Sequence, residues 1–284
     1  MLKRTLTGAA VLAVVLGAWF ADRSMGGRAW ALAALGAIVT IGALDELLKM
    51  GAAKPGRRAF GRVLGVVWLV LMLMPALSPN AATEKIGDLL TAVSLVWAFY
   101  LAMQLRAGPG PVPNKLAGSL WFQIPYVGGV ACLVSLLAAG ALGYVIGVVL
   151  VAKSSDIGAY FVGKRFGRRK MSPLVSPNKT WEGAIGGIVL PMLLAPFLLA
   201  GVEVHPVLSP GHVIPDVWWI AALHGLVIAV LTIISDLSES LLKRSRAVKD
   251  SGTVFGQSGG FLDLVDSLLL VGPCALAYTA FFPA

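Results

Sequence analysis

Long apolar runs with few charges recur along the chain, at about 6–21, 29–44, 62–79, 86–105, 119–139, 141–161, 184–201, 216–235 and 260–282. Each approaches the ~20 residues that an α-helix needs to cross the hydrocarbon core of a bilayer. Backbone N–H and C=O groups find no water at that depth, and a helix satisfies them within one segment. Composition agrees, because 57% of the 284 residues are hydrophobic, only 13% are charged, and mean hydropathy is +0.83. The expectation is an all-α polytopic integral membrane protein with about nine transmembrane helices. It divides into N-terminal transmembrane helices over 1–140 and a C-terminal transmembrane region over 141–284, whose loops carry the polar motifs. No separate soluble domain fits between the runs.

Lys and Arg set the orientation. They are dense around 49–62, 106–115, 153–182 and 243–249, whereas 202–215 has none and 80–85 has only Lys85. If the runs alternate across the bilayer, the basic loops share one side, which the positive-inside bias makes the cytoplasmic side of the cell membrane. The N-terminus is then inside and the C-terminus outside. The net charge of +9 is accounted for by these loops, so membrane lipids are expected partners and nucleic acid is not. Trp19 and Phe20 stand where signal cleavage needs small residues, which favours a retained first span. Cys132 and Cys274 lie in apolar runs and read as packing residues, while His205, His212 and His224 have no metal-ligand spacing.

Charge, glycine and serine are concentrated between the last two runs, in SDLSESLLKRSRAVKDSGTVFGQSGGFLDLVDS from Ser235 to Ser267. Ionisable groups at membrane depth are costly, so their default reading is functional. If a helix continues past Ile234, Asp236, Glu239 and Lys243 at i, i+3 and i+7 fall on one stripe. The bland alternative is structural pairing of Asp236 and Glu239 with Lys243 or Arg244. Asp263 and Asp266, at i and i+3, are expected on one face of the last helix. Gly259 and Gly260 precede them, so free N–H groups of a helix start are expected beside a carboxylate pair. Such carboxylates suit Mg²⁺, which takes one or two protein carboxylates and completes its shell with phosphate oxygens and water. Another divalent ion, or an additional monovalent cation, is compatible with the same ligands. Asp263 and Asp266 as mere caps of a first helical turn is the bland reading.

In the 153–182 loop, Lys164, Arg165, Arg168, Arg169 and Lys170 are explained by the positive-inside bias and anionic headgroups. Ser176, Asn178, Lys179 and Thr180 group hydroxyls, an amide and a cation after a turn, which suits phosphate oxygens. No Gly-rich nucleotide loop of the soluble kind is present.

The stretch carrying Ser240, Lys243, Arg244, Lys249, Asp250, Gly252, Gly259, Gly260, Asp263 and Asp266 resembles the signature of the phosphatidate cytidylyltransferases, the CDP-diacylglycerol synthases. Two upstream stretches are similar to further blocks of that family: Asp156-Ile-Gly-Ala-Tyr-Phe-Val-Gly and Ser176-Pro-Asn-Lys-Thr-Trp-Glu-Gly. Where the family has Pro-Gly-His-Gly-Gly, this chain has Gly256, Gln257, Ser258, Gly259 and Gly260, and Leu264 replaces an Arg. The resemblance implies a catalytic C-terminal region that transfers a cytidylyl group from CTP to phosphatidate, giving CDP-diacylglycerol and pyrophosphate. It implies Asp236, Asp263 and Asp266 as metal ligands and, with Lys243, as catalytic groups. Phosphate oxygens would be neutralised by Lys179, Lys243 and Lys249. It also makes Asp156, Ser240, Glu239, Arg244, Asp250 and Ser258 substrate-binding candidates. A CTP-dependent lipid kinase, or a cytidylyltransferase for another phospholipid, is the near alternative. An ion-coupled transporter is the alternative of another class. A homodimer is compatible with all of these.

Overall fold

The computed structural model describes residues 13–22, 24, 30–50, 55–77, 120–139, 141–199, 203–204, 212–213, 217–255 and 259–281, with isolated positions at 89, 92, 93 and 96. Apart from those isolated positions, the run expected at 86–105 lies outside the described residues, as does Ser258. The other apolar runs become helices: α1 (Ala13–Asp22), α2 (Trp30–Met50), α3 (Pro55–Leu77), α4 (Leu120–Ala138), α5 (Leu142–Phe166), α6 (Trp181–Leu199), α7 (Trp218–Ser245), the short α8 (Phe261–Val265) and α9 (Val271–Phe281).

Among the described residues, α2, α5, α6 and α7 are long and apolar enough to cross a membrane. The final run, expected as one span, is interrupted. Residues 266–270 form turns between α8 and α9, so Asp263 and Asp266 keep their i, i+3 relation on the short α8 and its C-cap, and the break in the run follows them. The chain is also not purely α-helical. The expected 153–182 loop is helical to Phe166 and then forms an antiparallel hairpin of β1 (Lys170–Ser172) and β2 (Ser176–Thr180). Pro173 fits the second position of its turn, which Val175 N closes onto Ser172 O at 3.3 Å. A second hairpin pairs β3 (Glu203–Val204) with β4 (His212–Val213).

Helix association inside a bilayer gains little from burying apolar surface, so close packing through small residues carries it. A Cβ on Gly183 would come 2.9 Å from Ala159 O, and one on Gly187 3.0 Å from Ser155 O, which fixes α6 tightly against α5. The outer faces stay apolar: Phe161 on α5 is 65% exposed and Phe197 on α6 is 86% exposed, as lipid-facing positions should be. One buried cluster joins Leu44, Leu47 and Leu48 of α2 to Leu242 of α7, Leu262 and Val265 of α8, and Leu269. The N-terminal helices therefore pack directly under the segment that carries the paired acids.

Candidate active site

Helix α7 continues beyond its apolar part to Ser245, which places Asp236, Glu239 and Lys243 on successive turns of one face. The turn after α8 brings Asp266 to them. One carboxylate oxygen from each of Asp236, Glu239 and Asp266 lies within 4.8 Å of the others. Like charges ~4 Å apart repel by about 4 kcal/mol at an effective dielectric of ~20, so this cluster calls for cations. Lys243 forms an ion pair with Glu239 at 2.6 Å, and Lys179 forms one with Asp236 at 2.5 Å. Glu239 is fully buried, and its Oε1 accepts no hydrogen bond.

Lys179 reaches Asp236 because the β1–β2 hairpin folds back over α5 and α7. Arg244 Nε donates to Val175 O at 3.4 Å, and the Arg168 and Arg169 N–H groups donate to Glu182 at 3.0–3.2 Å. Thr180 Oγ1 accepts the Gly183 N–H at 3.1 Å and so caps α6. Between hairpin and helices lies a cleft of about 600 Å³, lined among others by Asp156, Ser176, Asn178, Lys179, Thr180 and Asp236. It shares Met171, Ala184 and Ile233 with an apolar groove of about 440 Å³ between α6 and α7.

Asp263 is placed differently from the expectation. It does not join Asp236 and Asp266 in the clustered set. Its Oδ1 pairs with Lys243 at 2.7 Å, and its Oδ2 accepts the Gly260 and Ser251 N–H groups, each at 2.8 Å. Lys243 thus bridges Glu239 and Asp263 and joins the two acidic groups. The free N–H groups expected at the start of α8 are also taken. Glu46 of α2 accepts Phe261 N at 3.0 Å and Leu262 N at 2.9 Å. The glycines serve this closeness: Gly259 has φ +85°, and a side chain on it would strike Asp263, while one on Gly260 would strike the Glu46 carboxylate.

The remaining candidates are more peripheral. Lys249 and Asp250 are exposed on the loop after α7 and do not line the cleft, and Ser240 is half-buried on α7. Arg244 serves the hairpin and the Val248 carbonyl. Leu264 is 36% exposed. Sequence reasoning missed Glu46 and Lys153. Lys153 lies inside the run 141–161 and donates to Ser267 Oγ at 2.6 Å and to Asp156 at 3.3 Å, beside the acidic cluster. Its depth in an apolar run was the available signal.

The chain is 31% identical over 281 residues to the phosphatidate cytidylyltransferase of Pseudomonas aeruginosa, covering 96% of this chain and 95% of that protein. It is 33% identical over 230 residues to that of Brucella suis, covering 79% and 76%. With the Bacillus subtilis enzyme of the same name it shares 40% identity over 141 residues, about half of each chain, 50% and 49%. The sequence also matches the cytidylyltransferase family over residues 2–282. The chain belongs to the cytidylyltransferase family.

Proposed function

We propose that this membrane protein transfers a cytidylyl group from CTP to phosphatidate, forming CDP-diacylglycerol and releasing pyrophosphate. The observation that carries the reading is a cleft carrying the Lys179–Asp236 pair, Ser176 and Asn178 that runs into an apolar groove between α6 and α7. An acceptor with an anionic head and acyl chains fits such a joined surface, and its phosphate would meet Lys179, Asn178 and Ser176. A phosphatidate oxygen attacks the α-phosphorus of CTP, the new P–O bond forms as the α–β anhydride bond breaks, and pyrophosphate leaves. The attacking phosphate is already ionised, so no strong general base is required, and the barrier is largely the approach of two anions. Lys179 can pass from Asp236 to incoming phosphate oxygens. Lys243 keeps Glu239 and Asp263 in place on either side of it.

Asp236, Glu239 and Asp266 fit a divalent cation such as Mg²⁺. One carboxylate oxygen from each lies within 4.8 Å of the others, and Glu239 Oε1 is buried with no hydrogen bond, so oxygen donors of the kind a hard divalent cation takes are gathered at one point. Bound there, the cation would neutralise triphosphate oxygens. Glu239 takes the place that the sequence expectation gave to Asp263. The apolar runs support about nine crossings, and the Lys and Arg distribution, with those runs alternating, supports a site on the cytoplasmic face of the cell membrane and a C-terminus outside. A transporter reading finds no support in the family.

Purified protein in detergent with phosphatidate, Mg²⁺ and CTP labelled at either the α or the γ phosphate tests the reading. Label from α-labelled CTP in the lipid, with γ label leaving as pyrophosphate, is expected. Transfer of the γ label to lipid would establish a CTP-dependent kinase instead.

A further inference from the structure

Glu46 lies on α2, about 200 residues before the motif it touches, and is 5% exposed. No cation is paired with it among the described residues. Backbone N–H groups of Phe261 and Leu262 balance its carboxylate, and Ser251 Oγ lies 2.7 Å from Glu46 Oε2 and 2.7 Å from Asp263 Oδ2. The single hydroxyl proton of Ser251 can serve one of these oxygens at a time. A helix start of this kind usually takes its cap from its own N-cap side chain, but Gly260 has none. Asp263 reaches back to the Gly260 N–H, and Glu46 supplies the rest from another helix.

We propose that Glu46 is a positioning residue of the transfer reaction. By holding Ser251 and the first turn of α8 it orients Asp263, which fixes Lys243, which in turn holds Glu239 in the acidic cluster. The N-terminal helices thereby set the geometry of a site whose substrate-facing groups all lie in the C-terminal half. The role is specific to a carboxylate: an amide at position 46 would turn an NH₂ toward an N–H donor. The inference rests on the cytidylyl-transfer reading.

The test measures kcat and KM for CTP, with unfolding temperature, in the full-length protein in detergent for wild type, Glu46→Gln, Ser251→Ala and Leu69→Ala. Leu69 of α3 is buried against Ala33 of α2 and Ala131 and Val134 of α4, in a core cluster that contains none of the motif residues, and controls for plain destabilisation. Expected for Glu46→Gln is a fall in kcat of about tenfold or more, with KM for CTP within about twofold, since loss of a supporting hydrogen-bond shell costs ~10–100-fold. Ser251→Ala, which buries no new mismatch, should show the same kcat-selective loss at smaller size, and it decides the matter if Glu46→Gln does not fold. Leu69→Ala should lower the unfolding temperature and leave kcat of the folded protein unchanged. Wild-type kcat in folded Glu46→Gln, or in Ser251→Ala where Glu46→Gln does not fold, would overturn the positioning role alone. Absence of CDP-lipid from wild type would overturn the transfer reading with it.

Discussion

Asp263 and Asp266 stand three residues apart, yet their surroundings are opposite. Asp263 is saturated, with Lys243 on one oxygen and the Gly260 and Ser251 donors on the other. Asp266 faces Asp236 and Glu239, a set of acids whose buried Glu239 Oε1 has no hydrogen bond. A saturated carboxylate holds structure, whereas clustered, under-supplied carboxylates are what a cation site looks like before its charge is balanced. Proximity in sequence therefore says little here about shared work. Asp263 in the first turn of α8 reaches back to the Gly260 N–H, while Asp266 at its C-cap meets the acids of α7, so one short helix lets neighbouring acids serve different ends.

The largest expected effect lies in the clustered set. Asp266→Asn and Glu239→Gln should each lower transfer by ~10²-fold or more, the scale of a lost key electrostatic contact. Asp266→Asn removes like-charge repulsion without breaking an ion pair, so its unfolding temperature should hold or rise, whereas Glu239→Gln also loses the buried pair with Lys243 and should unfold at a lower temperature. Activity assays paired with thermal unfolding check both halves of this statement. Removing divalent ions with a chelator should likewise abolish turnover, reversibly on adding Mg²⁺.

Asp263→Asn should behave in the contrary manner. It takes charge from a saturated structural position, so transfer should fall by about tenfold and the unfolding temperature should drop, with the Mg²⁺ requirement unaltered. Equal loss of Mg²⁺ response in Asp263→Asn and Asp266→Asn would erase the distinction between the two acids. Lys179→Ala comes next. It should raise KM for phosphatidate by about tenfold, the worth of one charge-assisted hydrogen bond, and leave folding intact. The smallest effect belongs to Lys249→Ala. An exposed cation outside the cleft should change kcat/KM by less than about twofold, which a steady-state comparison resolves.

Much of this was legible in the residues. Runs of apolar sequence marked α2, α5, α6 and α7 to within several residues, and the spacing of Asp236, Glu239 and Lys243 anticipated the extension of α7, because helical periodicity is a local property. Glu46 was not legible, since its partners Ser251, Phe261 and Leu262 are 205–216 residues away and no local period points to them. The same holds for the contact of Lys153 with Ser267, 114 residues apart. The β1–β2 hairpin was hidden by its own charge: basic residues explained by the membrane surface masked a turn that Pro173 signals. The division of labour between Asp263 and Asp266 depended on the Ser251 and Gly260 donors and on Lys243, contacts that apolar composition cannot reveal.

Binding of Mn²⁺ followed by electron paramagnetic resonance in wild type, Asp266→Asn and Asp263→Asn tests most directly whether the clustered acids hold the cation. Loss of the bound-ion signal in Asp266→Asn with its retention in Asp263→Asn is the predicted result. Retention in Asp266→Asn with loss in Asp263→Asn would contradict it.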